Sequence, residues 1–93
     1  MVIIISDIAG RPLMELNQDS LQGADFSGAK LWDADFWNAD LRNANFESAD
    51  LMGADFQGAN LEGANFEGAH LQDVCFDGAQ LKNVNFKKTT QDY

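Results

Sequence analysis

Large apolar side chains recur at every fifth position along most of this chain. They are strictly alternating leucines and phenylalanines, and the series continues without a slip: Leu21, Phe26, Leu31, Phe36, Leu41, Phe46, Leu51, Phe56, Leu61, Phe66, Leu71, Phe76, Leu81 and Phe86. Two positions before nearly every one of them stands Ala or Val. The series includes all seven phenylalanines of the protein, so it predicts the hydrophobic core.

A five-residue period fits neither a regular helix nor a regular strand. Five residues turn an α-helix by about 500°, and five is an odd number on a strand whose side chains alternate in direction. Neither element could keep these residues on one face. The pattern instead predicts short extended segments separated by corners, with the large residue and the small residue before it both pointing inward. The chain then coils into a prism.

The alternation of Leu and Phe restricts the length of one coil to ten, twenty or thirty residues. Ten residues give a perimeter of at most about 33 Å, which is too tight for inward side chains. Thirty leave a void that Ala, Leu and Phe cannot fill at normal packing density. We therefore predict an all-β fold with four-sided coils of twenty residues, in which Phe46 lies between Phe26 and Phe66. The repeat region, 21–88, then makes about three and a half coils.

Segments such as Ala39-Asp40-Leu41-Arg42-Asn43 and Ala59-Asn60-Leu61-Glu62-Gly63 repeat one motif: Ala, then Asp or Asn, then Leu, then two variable residues. In this motif the sequence closely resembles the pentapeptide repeat family, over about three quarters of its length. The resemblance implies a right-handed quadrilateral β-helix, which agrees with the four-sided coil.

The two ends of the chain do not follow the five-residue repeat. Apolar segments 2–5 and 13–16 flank a turn near Gly10, so residues 1–20 predict a β-hairpin that leads into the first coil and covers its apolar end. At the other end, Lys87 and Lys88 precede a polar tail, 89–93, where charge would discourage end-to-end growth. The choice between a monomer and an end-to-end dimer stays open.

Catalytic and cofactor-binding patterns are missing from the sequence. The single His and single Cys, His70 and Cys75, have no orienting third group, and the glycines follow the repeat rather than opening a helix. We expect no enzyme activity, no cofactor and no metal site. Fifteen acidic residues against six basic ones give a net charge of -9, which argues against direct nucleic-acid binding and favours a protein partner with a basic surface.

The outward residues predict one candidate surface for a partner. Two tryptophans and a methionine stand directly after core residues, next to a corner that gathers four aspartates: Trp32, Trp37, Met52, Asp33, Asp35, Asp55 and Asp73. Exposed Trp beside Met is a suitable anchor for a protein partner. Two alternatives stay open: the hairpin could fold over the tryptophans, or the carboxylates could attract Ca²⁺, for which scattered aspartates without a compact loop are weak evidence.

These observations favour a rigid, non-catalytic protein-interaction module. One alternative follows from the family resemblance, since some members resemble duplex DNA in shape and charge and bind DNA gyrase. Another alternative is a structural spacer that assembles end to end. A single cysteine and the lack of a signal-like N-terminus predict a cytoplasmic protein, and no apolar run is long enough to cross a membrane.

Overall fold

The computed structural model describes residues 1–91, which begin with a two-stranded antiparallel hairpin. Strand β1, Val2–Ser6, pairs with strand β2, Pro12–Asn17, in a register that joins Val2 to Asn17 and Ile5 to Met14. The connecting turn contains Gly10, whose φ of 87° is readily available only to glycine. The hairpin occupies the region where the sequence predicts one.

The rest of the chain forms a coil held by parallel bridges between residues twenty positions apart, such as Asn45 with Asn65. Phe46 N–H donates to the Asn65 carbonyl at 2.7 Å, and Asn65 N–H donates to the Ala44 carbonyl at 2.9 Å. The same two bonds recur on each side of the prism. The twenty-residue period is thereby confirmed. Residues 1–91 contain no helix able to cross a membrane.

Each corner is a tight turn with one residue in the left-handed region. At a representative corner, Ala44 N–H donates to the Leu41 carbonyl at 3.0 Å, and Asn43 has a φ of 61°. This combination is typical of a type II turn, which favours Gly or Asn at that position. The outward Asp or Asn of the next segment supports the following corner, as when Asn45 Oδ1 accepts the Glu47 N–H at 3.0 Å.

Phenylalanine rings fill the interior in two parallel columns, and the ring planes of one column are nearly perpendicular to those of the other. Phe46 stacks between Phe26 and Phe66, with ring centroids 4.9 and 4.7 Å away. It also meets Phe36 and Phe56 edge to face, at 5.6 and 5.5 Å. The largest fully buried side chains are Phe26, Phe36, Phe46, Phe56, Phe66, Leu31, Leu41, Leu51 and Leu61. Like residues therefore stack on like residues, as the alternation predicts.

The predicted core is incomplete at its two ends. Leu21, Phe76 and Phe86 are only partly buried, and Leu81 is 40% exposed, so its assignment to the core is wrong for the described residues. The reason is that no coil within residues 1–91 stacks beyond the last one. Backbone pairing extends to Thr90, whose carbonyl accepts the Leu71 N–H at 2.8 Å. Asp92 and Tyr93, the remainder of the predicted tail 89–93, lie outside the described residues.

The hairpin docks on the first coil through backbone hydrogen bonds. Asp35 N–H donates to the Ser6 carbonyl and Ile8 N–H to the Asp33 carbonyl, both at 2.8 Å, so residues 6–8 pair antiparallel with residues 33–35. Ile5 is buried against the core. The hairpin thus takes the place that an earlier coil would occupy along this side of the prism.

One buried carboxylate holds the end of the hairpin together. Asp7, 6% exposed, accepts hydrogen bonds from the N–H groups of Ala9 and Arg11 at 2.9 Å and from Arg11 Nε at 2.8 Å. The bond from the Arg11 backbone N–H does most to hold the pKa of Asp7 below the ordinary value of 3.8. Asp7 is therefore ionised at neutral pH, and its carboxylate oxygens are hydrogen-bonded to Ala9 and Arg11.

Candidate functional site

The two tryptophans lie at the two corners of one side of the prism. This side is centred on Phe36 and Phe56; Trp32 lies at the corner before it and Trp37 at the corner after it, while Met52 lies one coil beyond Trp32 in the same column. The exposed fractions are 51% for Trp32, 59% for Trp37 and 41% for Met52. We call these three residues, with Asp33, Asp35, Asp55 and Asp73, the tryptophan surface.

Side-chain contacts hold Trp32 in place without burying it. Its indole Nε1 donates to Asp50 Oδ2 at 2.5 Å, and Lys30 Nζ lies 5.5 Å from the ring centroid, within the range of a cation–π contact. Asp50 was not among the residues predicted for this surface. The predicted twenty-residue coil could have indicated this contact, because such a coil brings side chains eighteen positions apart together. The structure shows the same spacing in the pairs Gln22 with Asp40 and Asn65 with Glu47.

The four aspartates fall into two adjacent columns beside the corner of Trp32. Asp33 and Asp73 share a column with Gly53 and occupy left-handed turn positions, with φ values of 58° and 59°. Asp35 and Asp55 form a bridged pair on neighbouring coils, and their Oδ1 atoms accept the N–H groups of the residues two positions on, at 3.1 and 2.9 Å. Each aspartate therefore has a role in a turn, and the second pair lies between the two tryptophans.

The described residues that could bind a metal or act in catalysis do not form a site. Within residues 1–91, no group of three or more His, Cys, Asp or Glu side chains is arranged to hold a metal ion. His70 Nδ1 lies 2.8 Å from Thr90 Oγ1. Cys75 is a free, partly buried thiol. Nothing in the described part of the chain brings a nucleophile, a base and an orienting group together.

The hairpin extends the tryptophan surface instead of covering it. A hollow of about 360 Å³ separates the hairpin from Trp32, and its lining residues are Asp7, Arg11, Pro12, Leu13, Trp32 and Asp33. Ile8, 63% exposed, is joined to Asp33 through the backbone and adds apolar area beside it. The alternative that the hairpin folds over the tryptophans is wrong. Ile8 could not be found from the sequence, because nothing in the repeat indicates where the hairpin docks.

Charges on another side of the prism are internally compensated. Arg42 forms a two-pronged contact with Asp40, through Nε at 2.9 Å and Nη2 at 2.8 Å. These side-chain hydrogen bonds lower the pKa of Asp40 to about 2. The negative surface is therefore interrupted on the side of Leu41, whereas Asp35 and Asp55 have no Lys or Arg bonded to them in residues 1–91.

A family model built from sequences matches the same part of the chain that forms the regular coil. The family model described as pentapeptide repeats, with eight copies, matches residues 20–58 and 49–87. The chain belongs to the pentapeptide repeat family. Its fold is the right-handed quadrilateral β-helix that the sequence predicts.

Two solved pentapeptide repeat proteins are similar to this one. Rfr23 from the cyanobacterium Cyanothece 51142 is 38% identical, with a TM-score of 0.56 over 75% of this chain and 45% of its own. A protein from the Arabidopsis thaliana thylakoid lumen is 37% identical, with a TM-score of 0.50 over 80% of this chain and 55% of its own. The present chain thus spans about half the length of these relatives. None of the curated proteins matches it.

Proposed function

We propose that this pentapeptide repeat protein is a non-catalytic interaction module that binds a protein partner through the tryptophan surface. The observation that carries the proposal is the pair of tryptophans, each more than half exposed on a side of a closely packed prism. Large aromatic residues left outside a core cost solvation free energy and are enriched among the residues that dominate protein interfaces. Met52 and Ile8 extend the apolar area on the same side.

The charges of this surface favour a basic partner. Asp35 and Asp55 lie between the indoles, and Asp33 and Asp73 flank them at the corner of Trp32. Arg or Lys side chains of a partner could stack on an indole and approach a carboxylate at the same time. Lys30, which lies over Trp32, is an example of such a contact within the chain.

The charge distribution favours one binding side over mimicry of duplex DNA. A DNA mimic needs negative charge along two strands of regularly spaced phosphates. Here Arg42 neutralises Asp40 on the side of Leu41, so the negative charge is concentrated on part of the prism. A one-sided acidic surface with aromatic anchors therefore favours a protein partner that does not recognise this chain as a mimic of DNA.

Rigidity also supports a role in binding. The backbone around the tryptophan surface is fixed on both sides: Trp37 N–H bonds to Asp35 Oδ1, and Asp33 N–H bonds to the Met52 carbonyl of the next coil at 2.8 Å. A surface that is already ordered loses little conformational entropy on binding, which leaves more of the contact free energy for affinity.

The test is affinity capture from cells of the source organism, using the full chain and two variants. Trp32→Ala/Trp37→Ala removes both anchors, whereas Gln57→Ala removes an exposed side chain one coil beyond Trp37 and serves as the control. We expect the control to retain a specific partner and the double variant to lose it, with affinity reduced by about 30-fold or more because an interface anchor contributes about 2 kcal/mol. Equal capture by all three proteins would contradict the proposal.

A fluorescence measurement on the free protein checks the premise. Iodide should quench most of the indole emission, because both rings are exposed. Melting curves of the variants should match the parent, since neither tryptophan belongs to the core.

A further inference from the structure

The hollow between the hairpin and Trp32 has the composition of a binding pocket. Its volume of about 360 Å³ lies at the lower end of the range for ligand sites, which suits one long side chain better than a large cofactor. Three of its six lining residues are apolar: Pro12, Leu13 and Trp32. The other three are charged: Asp7, Arg11 and Asp33. Apolar walls with a few charged groups are typical of sites that bind and orient a ligand.

A β-bulge in the hairpin shapes one wall of this hollow. Ile5 pairs with Met14, and the next pair is Ser6 with Pro12. Leu13 is therefore an extra residue that faces no residue of β1. In a regular strand two adjacent side chains point to opposite faces, whereas a bulge redirects one of them and is common beside functional sites. The bulge explains why Pro12 and Leu13 both line the same hollow.

The opposite wall is held in place before anything binds. The indole Nε1 of Trp32 donates to Asp50 Oδ2 at 2.5 Å. Lys30, which contacts the ring, is not among the lining residues, so this contact leaves the hollow open. The hairpin is fixed to the same corner by the bond from Ile8 N–H to the Asp33 carbonyl at 2.8 Å. Binding in the hollow would therefore require little reorganisation of the protein.

The charged groups of the lining favour a cation. Arg11 Nε bonds to Asp7 Oδ2 at 2.8 Å, so these two charges compensate each other. Asp7 Oδ2 accepts no other hydrogen bond from residues 1–91 and retains a second acceptor site. Asp33 has no Lys or Arg bonded to it in that part of the chain, and its exposed side chain can turn toward a guest. One uncompensated carboxylate and one remaining acceptor site thus belong to the lining.

We propose that this hollow receives one arginine side chain of the partner protein. The inference rests on the proposed function and names the chemistry that this part of the tryptophan surface recognises. The planar guanidinium would stack on the Trp32 indole and donate to Asp33 and to the remaining acceptor site of Asp7. The methylene groups of the arginine would contact Pro12 and Leu13. Lysine fits less well, because its ammonium has no flat face to stack and donates from a single point.

A carboxylate is the main competing guest, because the exposed guanidinium of Arg11 is also part of the lining. Such a guest would have to approach two carboxylates, those of Asp7 and Asp33, on a protein of net charge -9. The surrounding field repels anions and attracts cations. The charge of the whole chain and the charge of the lining therefore favour the same guest.

Titration with a blocked amino acid tests the pocket directly. The probe is N-acetyl-arginine amide, added to the isotope-labelled 93-residue chain and followed by nuclear magnetic resonance. We expect saturable shifts of the Trp32 indole N–H and of the backbone N–H groups of Leu13 and Asp33, with a dissociation constant in the millimolar range for so small a ligand. The Trp37 indole is equally open to solvent but lies outside the hollow, so its signal should not move.

Three further probes identify the chemistry that is recognised. N-acetyl-citrulline amide has nearly the shape of the arginine probe without its charge, and it should bind at least about tenfold more weakly because it loses the charge-assisted hydrogen bonds. The corresponding lysine probe should bind more weakly than arginine for lack of a stacking face. The corresponding glutamate probe should bind more weakly than arginine; if it binds more tightly, the hollow is a site for anions and the proposal is wrong.

Two pairs of variants test the assigned residues. Asp33→Asn removes the uncompensated carboxylate and should weaken arginine binding by about tenfold. Asp73→Asn is its matched control, since Asp73 occupies the same left-handed turn position in the same column but does not line the hollow. Trp32→Ala should abolish the saturable shifts, whereas Trp37→Ala should leave them unchanged. Circular dichroism of each variant would verify that it has folded.

Three results would overturn the arginine pocket: shifts that do not saturate, equal binding of the arginine and citrulline probes, and unchanged binding to Asp33→Asn. Each is distinguishable from failure of the proposed function, which affinity capture decides. Capture of a partner that depends on the tryptophans, without arginine binding, would support the tryptophan surface and refute the pocket. Saturable arginine binding in the hollow, with equal capture by all variants, would support the pocket and refute the tryptophan surface as the partner site.

Discussion

Removing the ring of Phe56 should be among the most damaging single changes in this protein. Phe56 is fully buried and stacks between Phe36 and Phe76, with centroids 5.0 and 5.4 Å away, and two further rings meet it edge to face. A Phe→Ala change in such a core costs about 3–5 kcal/mol. The coil cannot collapse into the cavity, because backbone bonds above and below fix the position of each side.

A loss of this size is a large share of the stability of a small domain, which is about 5–15 kcal/mol. For a chain of this length it corresponds to a decrease in melting temperature of about 12–40 °C. The assay is chemical denaturation monitored by far-ultraviolet circular dichroism, with Phe56→Leu as a milder variant in case the alanine variant does not fold. Glu62→Ala, on the outside of the same coil, should cost less than about 0.5 kcal/mol. Equal losses for Phe56→Ala and Glu62→Ala would refute the inward assignment.

Two further changes test the corners and the hairpin. Gly53→Ala and Gly23→Ala should each cost about the left-handed strain of 1–2 kcal/mol, because Gly23 faces open space and the Asp33 Oδ1 that an added Cβ at Gly53 would meet is the end of an exposed side chain that can turn away; denaturation midpoints measure both losses, and a much larger loss at Gly53 would contradict it. Asp7→Asn should lower stability at neutral pH. Because folding lowers the pKa of Asp7 below 3.8, its stabilising contribution is complete above that pH and is lost as the pH falls through the lower folded value. The difference between parent and variant should therefore shrink in acid, and a difference that did not depend on pH would contradict this assignment.

The repeat predicted most of the fold because its period is a geometric constraint rather than a propensity. The five-residue spacing excludes helix and strand, and the alternation of two residue types then determines the length of the coil, so the stacking of Phe26, Phe46 and Phe66 could be stated in advance. The residues at most corners suit their positions, since Gly and Asn favour left-handed backbone.

The ends and the candidate site were less predictable. The burial of Leu81 depends on whether another coil stacks on it, which a local motif cannot indicate. The docking of residues 6–8 on residues 33–35 uses backbone groups, which any side chains could accompany. For that reason the exposure of Trp32 and the contribution of Ile8 became clear only from the structure. The bond from Trp32 to Asp50, by contrast, was within reach of the twenty-residue period.

The most direct test of the central claim is nuclear Overhauser spectroscopy between the phenylalanine rings, with assignments from single Phe→Leu variants. A four-sided coil of twenty residues predicts ring-to-ring contacts from Phe46 to both Phe26 and Phe66, at centroid separations of 4.9 and 4.7 Å. The absence of both contacts in the folded protein would contradict the coil and everything inferred from it.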